Sequence, residues 1–340
     1  MSDEYLWDRS GPPDPLIAQL ERELRPFAHR EGTRATFVVD PPRSARRLMF
    51  YAFALMNAAC VMLLAGLAWR HHDQRPVMAV TRLAGTPQLA SRPLVNEGNL
   101  AVGRWLVTDA DARASIGVGD IGRVNVDPGS RISLMASGAG NYRLHLARGT
   151  MHALIWAPPG QFFVETPSAT AIDLGCAYTL TVDDEGAGLV RVTSGWVGFE
   201  WRGHESFIPA GAVCPTRRGH GPGTPYYEDT SAAFQEALSA IDFGAADGPL
   251  KTAALDRVLS DARQREVVTL WHLLSRVPAA DRDRVFDRLA GFVPPPAGVT
   301  REGVRAGRRE MLDGWWDELG LGTASWWRTW KQQWRGQGDK

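Results

Sequence analysis

From Leu48 to Trp69 the chain reads LMFYAFALMNAACVMLLAGLAW, with no charged residue and only Asn57 as a strong polar interruption. As a helix rising about 1.5 Å per residue, this run covers roughly 33 Å, against a bilayer hydrocarbon core of roughly 30 Å. The pattern predicts a transmembrane helix over 48–69. A buried core helix of this length would carry a polar stripe. A cleaved signal peptide would find a small-x-small site at Gly66-Leu67-Ala68, but the charged leader is too long and the apolar part exceeds the usual length of roughly 7–15 residues. The expectation is an uncleaved, single-pass anchor. Arg43, Arg46 and Arg47 crowd its N-terminal flank against Arg70 and Arg75 on the other, which predicts a cytoplasmic N-terminus and an external C-terminal bulk.

Before the span, residues 1–47 contain one periodic segment. Asp14-Pro15 reads as an N-cap with proline at the first helical position, and Leu16, Ile17, Leu20 and Leu24 then share a face. Pro26 ends the helix near Arg25, and Pro41-Pro42 separates it from the basic flank. So short a leader builds little core of its own. Its apolar face therefore binds a partner through Leu16, Leu20 and Leu24, or rests on the membrane surface; the mixed charges of Glu21, Arg22, Glu23 and Arg25 favour the partner.

After the span the period changes to two. Short alternating runs recur from Val77 to about Cys214, among them Arg131 to Met135, Tyr142 to Ala147, Met151 to Trp156, Phe162 to Glu165, Ala177 to Val182 and Trp196 to Trp201, with a final strand ending at Cys214. Turns such as Asp127-Pro128-Gly129, Pro158-Pro159-Gly160 and Asp184-Glu185-Gly186 punctuate them. The spacing predicts an all-β domain over 76–216, built as a sandwich, roll or short solenoid. From 229 to 340 the period becomes helical. Segments are predicted at Asp229 to Ile241, from Asp247-Gly248-Pro249 onward with Leu255, Val258, Leu259, Ala262, Leu270, Trp271 and Leu274 on one face, at Asp281 to Phe292, and at Arg301 to Leu319 after Pro294-Pro295-Pro296. The tail holds Trp326, Trp327, Trp330 and Trp334 beside Arg328, Lys331 and Arg335. Two placements fit it: docking on the folded domain, or lying on the membrane as a basic tryptophan helix.

Composition adds bounds. The 340 residues carry a formal net charge of +0, so no global field argues for a nucleic-acid partner. Three cysteines exclude a disulfide scaffold. With Cys60 in the span, Cys176 and Cys214 are the only candidate external bridge; the alternative is two buried free thiols. A bridge would close a loop of roughly 38 residues, worth on the order of 4 kcal/mol in the chain-entropy model.

Catalytic signatures are weak. Gly117 to Gly122 spells GxGxxG, but a dinucleotide site needs a helix immediately afterwards, and Arg123 onward alternates like a strand. His145 and His152 fall on neighbouring strands of an expected hairpin, without the further ligands that zinc requires. Asp183, Asp184 and Glu185 sit in a turn, and no Ser, His and Asp set emerges. The reading is non-enzymatic, with no catalytic, cofactor-binding or metal residues and no cofactor.

One stretch is familiar. Phe162 to Trp201, FFVETPSATAIDLGCAYTLTVDDEGAGLVRVTSGWVGFEW, resembles the FecR domain. Thr166-Pro167 stands at its first turn, Gly175-Cys176 where a Gly-Thr pair is usual, and Ser194-Gly195-Trp196-Val197 at its final element; the resemblance extends over roughly Ala101 to Cys214. With its leader LWDRSGPPDP and Trp-rich tail, the chain is also similar to a group of bacterial membrane proteins with FecR domains. The resemblance implies a single-pass protein of the bacterial inner membrane, periplasmic in its bulk, that transmits an envelope signal to a cytoplasmic sigma factor. The alternative is an envelope scaffold or ligand-binding protein with an envelope protein partner and no sigma factor.

Overall fold

The computed structural model describes residues 15–27, 56–57, 60–62, 77–138, 140–244 and 249–322. Most of the 48–69 run and the tryptophans of the tail lie outside the described residues. Among the described residues no helix is long and apolar enough to cross a membrane. The chain divides into two compact units, Met1–His72 and Asp73–Lys340.

In the first unit, helix α1 (Pro15–Leu24) forms where the apolar period and Pro15 place it, and Pro26 falls in the short 3-10 turn Arg25–Phe27 that follows. No residue of α1 is buried.

The second unit begins as two β-sheets, with strands numbered in chain order. One sheet runs β4 (Glu97–Ala101), β1 (Val77–Ala84), β6 (Arg113–Val118), β7 (Gly122–Val126), the second half of β9 (Tyr142–Ile155), β12 (Ala177–Val182), β13 (Gly188–Ser194) and β16 (Ala212–Arg217). Two short strands, β17 (Gly221–Pro222) and β18 (Tyr226–Tyr227), finish it on β16. The other runs β3 (Arg92–Pro93), β2 (Gln88–Leu89), β5 (Trp105–Val107), β8 (Arg131–Ala136), the first half of β9, β10 (Phe162–Glu165), β11 (Thr170–Asp173), β14 (Trp196–Trp201) and β15 (His204–Pro209). Among the described strands only β9–β10 is a parallel pair.

Alternation along the strands supplies the core. Ile116, Val124, Ile132, Leu144, Met151, Phe162, Leu180 and Val190 are all fully excluded from solvent. At about 25 cal/mol per Å² of apolar surface, such side chains each contribute roughly 1.5–3 kcal/mol.

Strand β9 corrects one expectation. Tyr142 to Ala147 and Met151 to Trp156 are not two strands of a hairpin; they are halves of one strand that passes from sheet to sheet. The register against β8 slips between Ile132↔Leu146 and Arg131↔Arg148, and Gly149 follows at φ +94°. His145 and His152 therefore lie on one strand in different sheets. His145 meets Trp105 edge-on at 5.9 Å, while His152 bonds Asp127 and Thr179.

Among the described residues six helices complete the unit: α2 (Ala232–Phe243), α3 (Pro249–Asp261), α4 (Val267–Arg276), α5 (Ala279–Ala290), α6 (Arg301–Arg305) and α7 (Arg309–Trp316). Helix α2 starts later than Asp229 because Ser231 caps it, accepting the Phe234 N–H. The long face expected from Leu255 to Leu274 is broken at Arg263, whose backbone N–H donates to the Glu266 carboxylate at 2.9 Å. Gly307, at φ +68°, likewise divides the segment expected from Arg301 to Leu319 into α6 and α7. One continuous core runs from the sheets into the helices and ends on the buried Trp315 and Trp316.

Candidate functional site

The sheets and helices meet at β15, which among the described strands pairs only with β14 and so turns one row of backbone groups toward α4. An exposed row of this kind templates pairing with another strand; here helix side chains take it. His272 and Arg276 stand one helical turn apart on α4, on the same face. His272 Nε2 accepts the Phe207 N–H at 3.0 Å, and Nδ1 lies 2.7 Å from the Val268 carbonyl, which assigns the proton to Nδ1. Burial, reinforced by the Arg276 charge, pushes the His272 pKa down to about 3, so the ring is neutral at physiological pH. Arg276 donates to the Glu205 carbonyl (3.1 Å), Ser206 Oγ (2.6 Å) and the Pro222 carbonyl (2.9 Å). Its charge is balanced by buried Asp242 at 3.5 Å, which also accepts Thr224 N–H and Oγ1 at 2.6 and 2.8 Å. Trp316 closes the joint, with ring centroids 4.7 Å from Trp271, 5.8 Å from Trp196 and 6.2 Å from Phe207.

A cleft of about 320 Å³ opens beside this joint, lined by Glu205, Trp271, Arg276, Arg309, Leu312 and Asp313 among others. It lies at the small end of the roughly 300–1,000 Å³ range of ligand sites. Arg309 bridges the two carboxylates, 3.6 Å from Glu205 and 3.8 Å from Asp313. Trp271 holds the floor by donating its indole N–H to the Leu312 carbonyl at 2.7 Å. Two guanidiniums, Arg276 and Arg309, line the cleft with the two carboxylates, so it presents matched charges beside an indole rather than a field of one sign.

The partner-binding residues expected from the sequence lie on α1, where Leu20 and Leu24 are each 55% exposed and Leu16 shares their face. The expected bridge between Cys176 and Cys214 is overturned, since both are free, buried thiols. Register gives the reason. Cys214 on β16 faces Val190, while Ala177, next to Cys176, faces Ser194, so the two flank β13 on opposite sides and at different heights. Two strand spacings of about 4.8 Å already exceed the Cα separation of roughly 7 Å that a disulfide tolerates. Cys214 donates to the Gly223 carbonyl at 3.1 Å and Cys176 to Asp173 Oδ2 at 2.9 Å.

That second contact belongs to a buried polar cluster with no sequence signal beyond the cysteine. Burial raises the Asp173 pKa to about 7, although the Cys176 S–H and the Gly175 N–H (2.7 Å) both donate to it. Tyr178 Oη, buried nearby, finds no hydrogen-bond partner among the described residues. On the outer face of the other sheet lies a second network: His152 Nε2 to Asp127 at 2.8 Å and Nδ1 to Thr179 Oγ1 at 2.9 Å. It has the composition of a nucleophile, base and carboxylate set. Yet β12 is paired on both sides, so its backbone N–H groups are spent on the ladders and leave no oxyanion donors. Gly117 to Gly122 forms the β6–β7 hairpin and opens no helix. Asp184 pairs with Arg148 at the surface, and Asp183 accepts the Ala187 N–H. Among the described residues no group of His, Cys, Asp and Glu is placed to hold a metal.

The turns of the middle strands have tight physical requirements. Thr166 Oγ1 accepts the Ala169 N–H at 3.0 Å across the β10–β11 turn. Gly175 and Gly195 both have positive φ, and a Cβ on Gly195 would strike the Gly175 carbonyl. Residues 105–198, β5 into β14, match the family model described as FecR protein. The chain carries a FecR domain. Strands β15 to β18 and all six helices follow the matched FecR segment. No curated protein matches the sequence. Two solved structures of a proposed anti-sigma factor from Parabacteroides distasonis ATCC 8503, at 1.65 and 2.50 Å resolution, are similar at 15% identity and TM-score 0.33. One alignment covers 39% of this chain and 63% of that one, the other 45% and 73%. The chain thus spans less than two thirds of the length of the first.

Proposed function

We infer that this protein is a single-pass membrane regulator: its FecR domain and helices lie outside the cytoplasm, and helix α1 engages a cytoplasmic sigma factor. The observation that carries the reading is the pairing, in one chain, of a FecR domain over 105–198 with an amphipathic helix whose leucine face is solvent-facing and lies upstream of a charge-free run long enough to span. The FecR resemblance supplies the partner class, and the leucines supply the surface. The test is capture of sigma factors, identified by mass, on the full-length protein in detergent. Leu16→Asp with Leu20→Asp is expected to abolish capture, and retained capture overturns the reading. Reporter fusions address topology: one active only outside the cytoplasm works after Lys340 and fails after Arg43.

The cleft beside β15 favours a second reading, an envelope ligand-binding protein without a sigma factor. Under it, envelope proteins alone are recovered, and the leucine substitutions change nothing.

A further inference from the structure

The FecR domain has two ends, and the chain enters at one of them, at Val77. Register defines what else lies there. Val77 faces Ala101, which puts Val102 just beyond it. The Gly103 N–H donates to Leu134, which puts Met135 alongside, and Ser137 Oγ reaches the Val77 carbonyl at 3.4 Å. Val118 faces Gly122, so the β6–β7 tip is at this end, and the Trp156 N–H donates to Ile121 in that tip. Val77, Val102, Met135 and Trp156 are all exposed there, Trp156 by 62%, with its indole N–H donating to the Asp120 carbonyl at 3.2 Å. Exposed Arg104 stands next to Val102 and Gly103.

This end combines exposed apolar side chains and one indole with the exposed guanidiniums of Arg104 and Arg123 and the exposed carboxylate of Asp120, on loops rather than in a groove. Tryptophan favours surfaces that are apolar on one side and wet on the other, and arginine suits phosphate at the headgroup level. The end of the apolar run, Trp69, precedes Val77 by eight residues, a reach of at most about 28 Å. The opposite end of β1 lies roughly 25 Å from Val77. We propose that the rim formed by Val77, Val102, Met135 and Trp156 rests on the outer surface of the lipid bilayer that anchors the chain. The proposal rests on the reading of 48–69 as a span. It gives the FecR domain a fixed face toward the membrane and leaves the cleft and helices at the β15 edge turned to the envelope space.

The test uses the full-length protein in liposomes of phosphatidylethanolamine and phosphatidylglycerol. Environment-sensitive fluorophores are attached at Val102→Cys and Trp156→Cys in a Cys60→Ala background, where Cys176 and Cys214 are buried. Val95→Cys serves as the control, because Val95 is 71% exposed but belongs to the opposite end, where the Arg82 N–H donates to the neighbouring Asn96 carbonyl. Wild-type protein labelled at Cys60, near the middle of the 48–69 run, reports on the span in separate liposomes whose lipids carry the quencher at the acyl-chain end. Lipids carrying a quencher near the headgroup are expected to quench positions 102 and 156 several-fold more than position 95. Equal quenching at all three, with Cys60 quenched, overturns the rim and leaves the span standing. Unquenched Cys60 overturns the span and the rim with it. Disulfide-linked dimers of the Val102→Cys protein, without lipid quenching, put a second copy on the rim and overturn the proposal.

Discussion

His272 accepts the backbone N–H of Phe207 across the joint between helix α4 and edge strand β15, at 3.0 Å and out of reach of solvent. A protonated ring has no lone pair for that N–H, and its charge would face Arg276 on the same helix. The joint therefore holds only while His272 is neutral.

From this follows an acid sensitivity with a defined window. The folded pKa of about 3 lies below the ordinary value of 6.5, so the unfolded chain binds the proton more readily. Stability from this group is complete above pH 6.5 and is lost as pH falls toward 3, by an amount on the order of 5 kcal/mol at about 1.4 kcal/mol per pKa unit. His272→Gln, which keeps an acceptor and cannot ionise, removes this loss, so its stability relative to wild type is expected to be higher at pH 4.5 than at pH 7.5. Urea midpoints at pH 4.5 and 7.5 measure it, and an unchanged difference between wild type and variant refutes it.

Asp173 contributes with the opposite sign. Its folded pKa of about 7 exceeds the ordinary 3.8, so the folded state prefers the protonated carboxyl. Its contribution is complete below pH 3.8 and is lost as pH rises through 7, on the order of 4 kcal/mol. Asp173→Asn keeps an acceptor for the Gly175 N–H and removes the titration. The variant is expected to gain stability over wild type at pH 8 and to match it near pH 4. Between these limits the two residues offset one another, so the wild-type midpoint should vary less with pH than that of either variant.

The thiols make a third prediction. Burial pushes the Cys214 pKa up to about 12 and that of Cys176 higher still, with Asp173 adding to the shift at Cys176. Neither offers a thiolate at neutral pH, and neither is within reach of the other. Folded protein isolated without reductant should leave both unmodified by maleimide; once it is unfolded, still without reductant, both should react. A peptide linking Cys176 to Cys214 in the non-reduced digest would contradict the register described for β12, β13 and β16.

Much of the fold was legible because the strands obey a period of two. Phe162–Glu165, Ala177–Val182 and Trp196–Trp201 fall where alternation and turn residues place them. Strand β15 was not predicted as such, since it ends at Pro209 and carries consecutive buried residues in place of alternation, while β16, expected only as a final strand ending at Cys214, continues through Pro215 to Arg217. The joint was invisible for a different reason. His272 and Arg276 read as ordinary residues of an amphipathic helix, and their role arises only from contact with backbone groups of a strand some 65 to 71 residues earlier. The cysteines show the limit of elimination: being the only pair outside the apolar run says nothing about which sides of a sheet they occupy. On α1 the leucine face was readable because helix period and proline position are local properties.

The bend of β9 yields the last prediction. Arg148 to Thr150, the gap between the two strands of the expected hairpin, proves to lie at the crossing from one sheet to the other. Gly149 is required twice over: its φ of +94° disfavours any side chain, and a Cβ would fall on the Cα and Oγ of Ser130. Ser130 cannot move aside freely, since its hydroxyl accepts the Thr150 N–H at 2.9 Å and donates to the Thr150 carbonyl at 3.1 Å, replacing ladder bonds lost at the bend. Gly103, at φ +78° with nothing within 4 Å of where a Cβ would stand, isolates the backbone part of the cost. Gly103→Ala should therefore lose only about 1 kcal/mol. Gly149→Ala should lose that and the displacement of Ser130 as well, in total more than about 3 kcal/mol by urea unfolding. Equal losses at the two sites would mean that β9 does not cross between the sheets at Gly149.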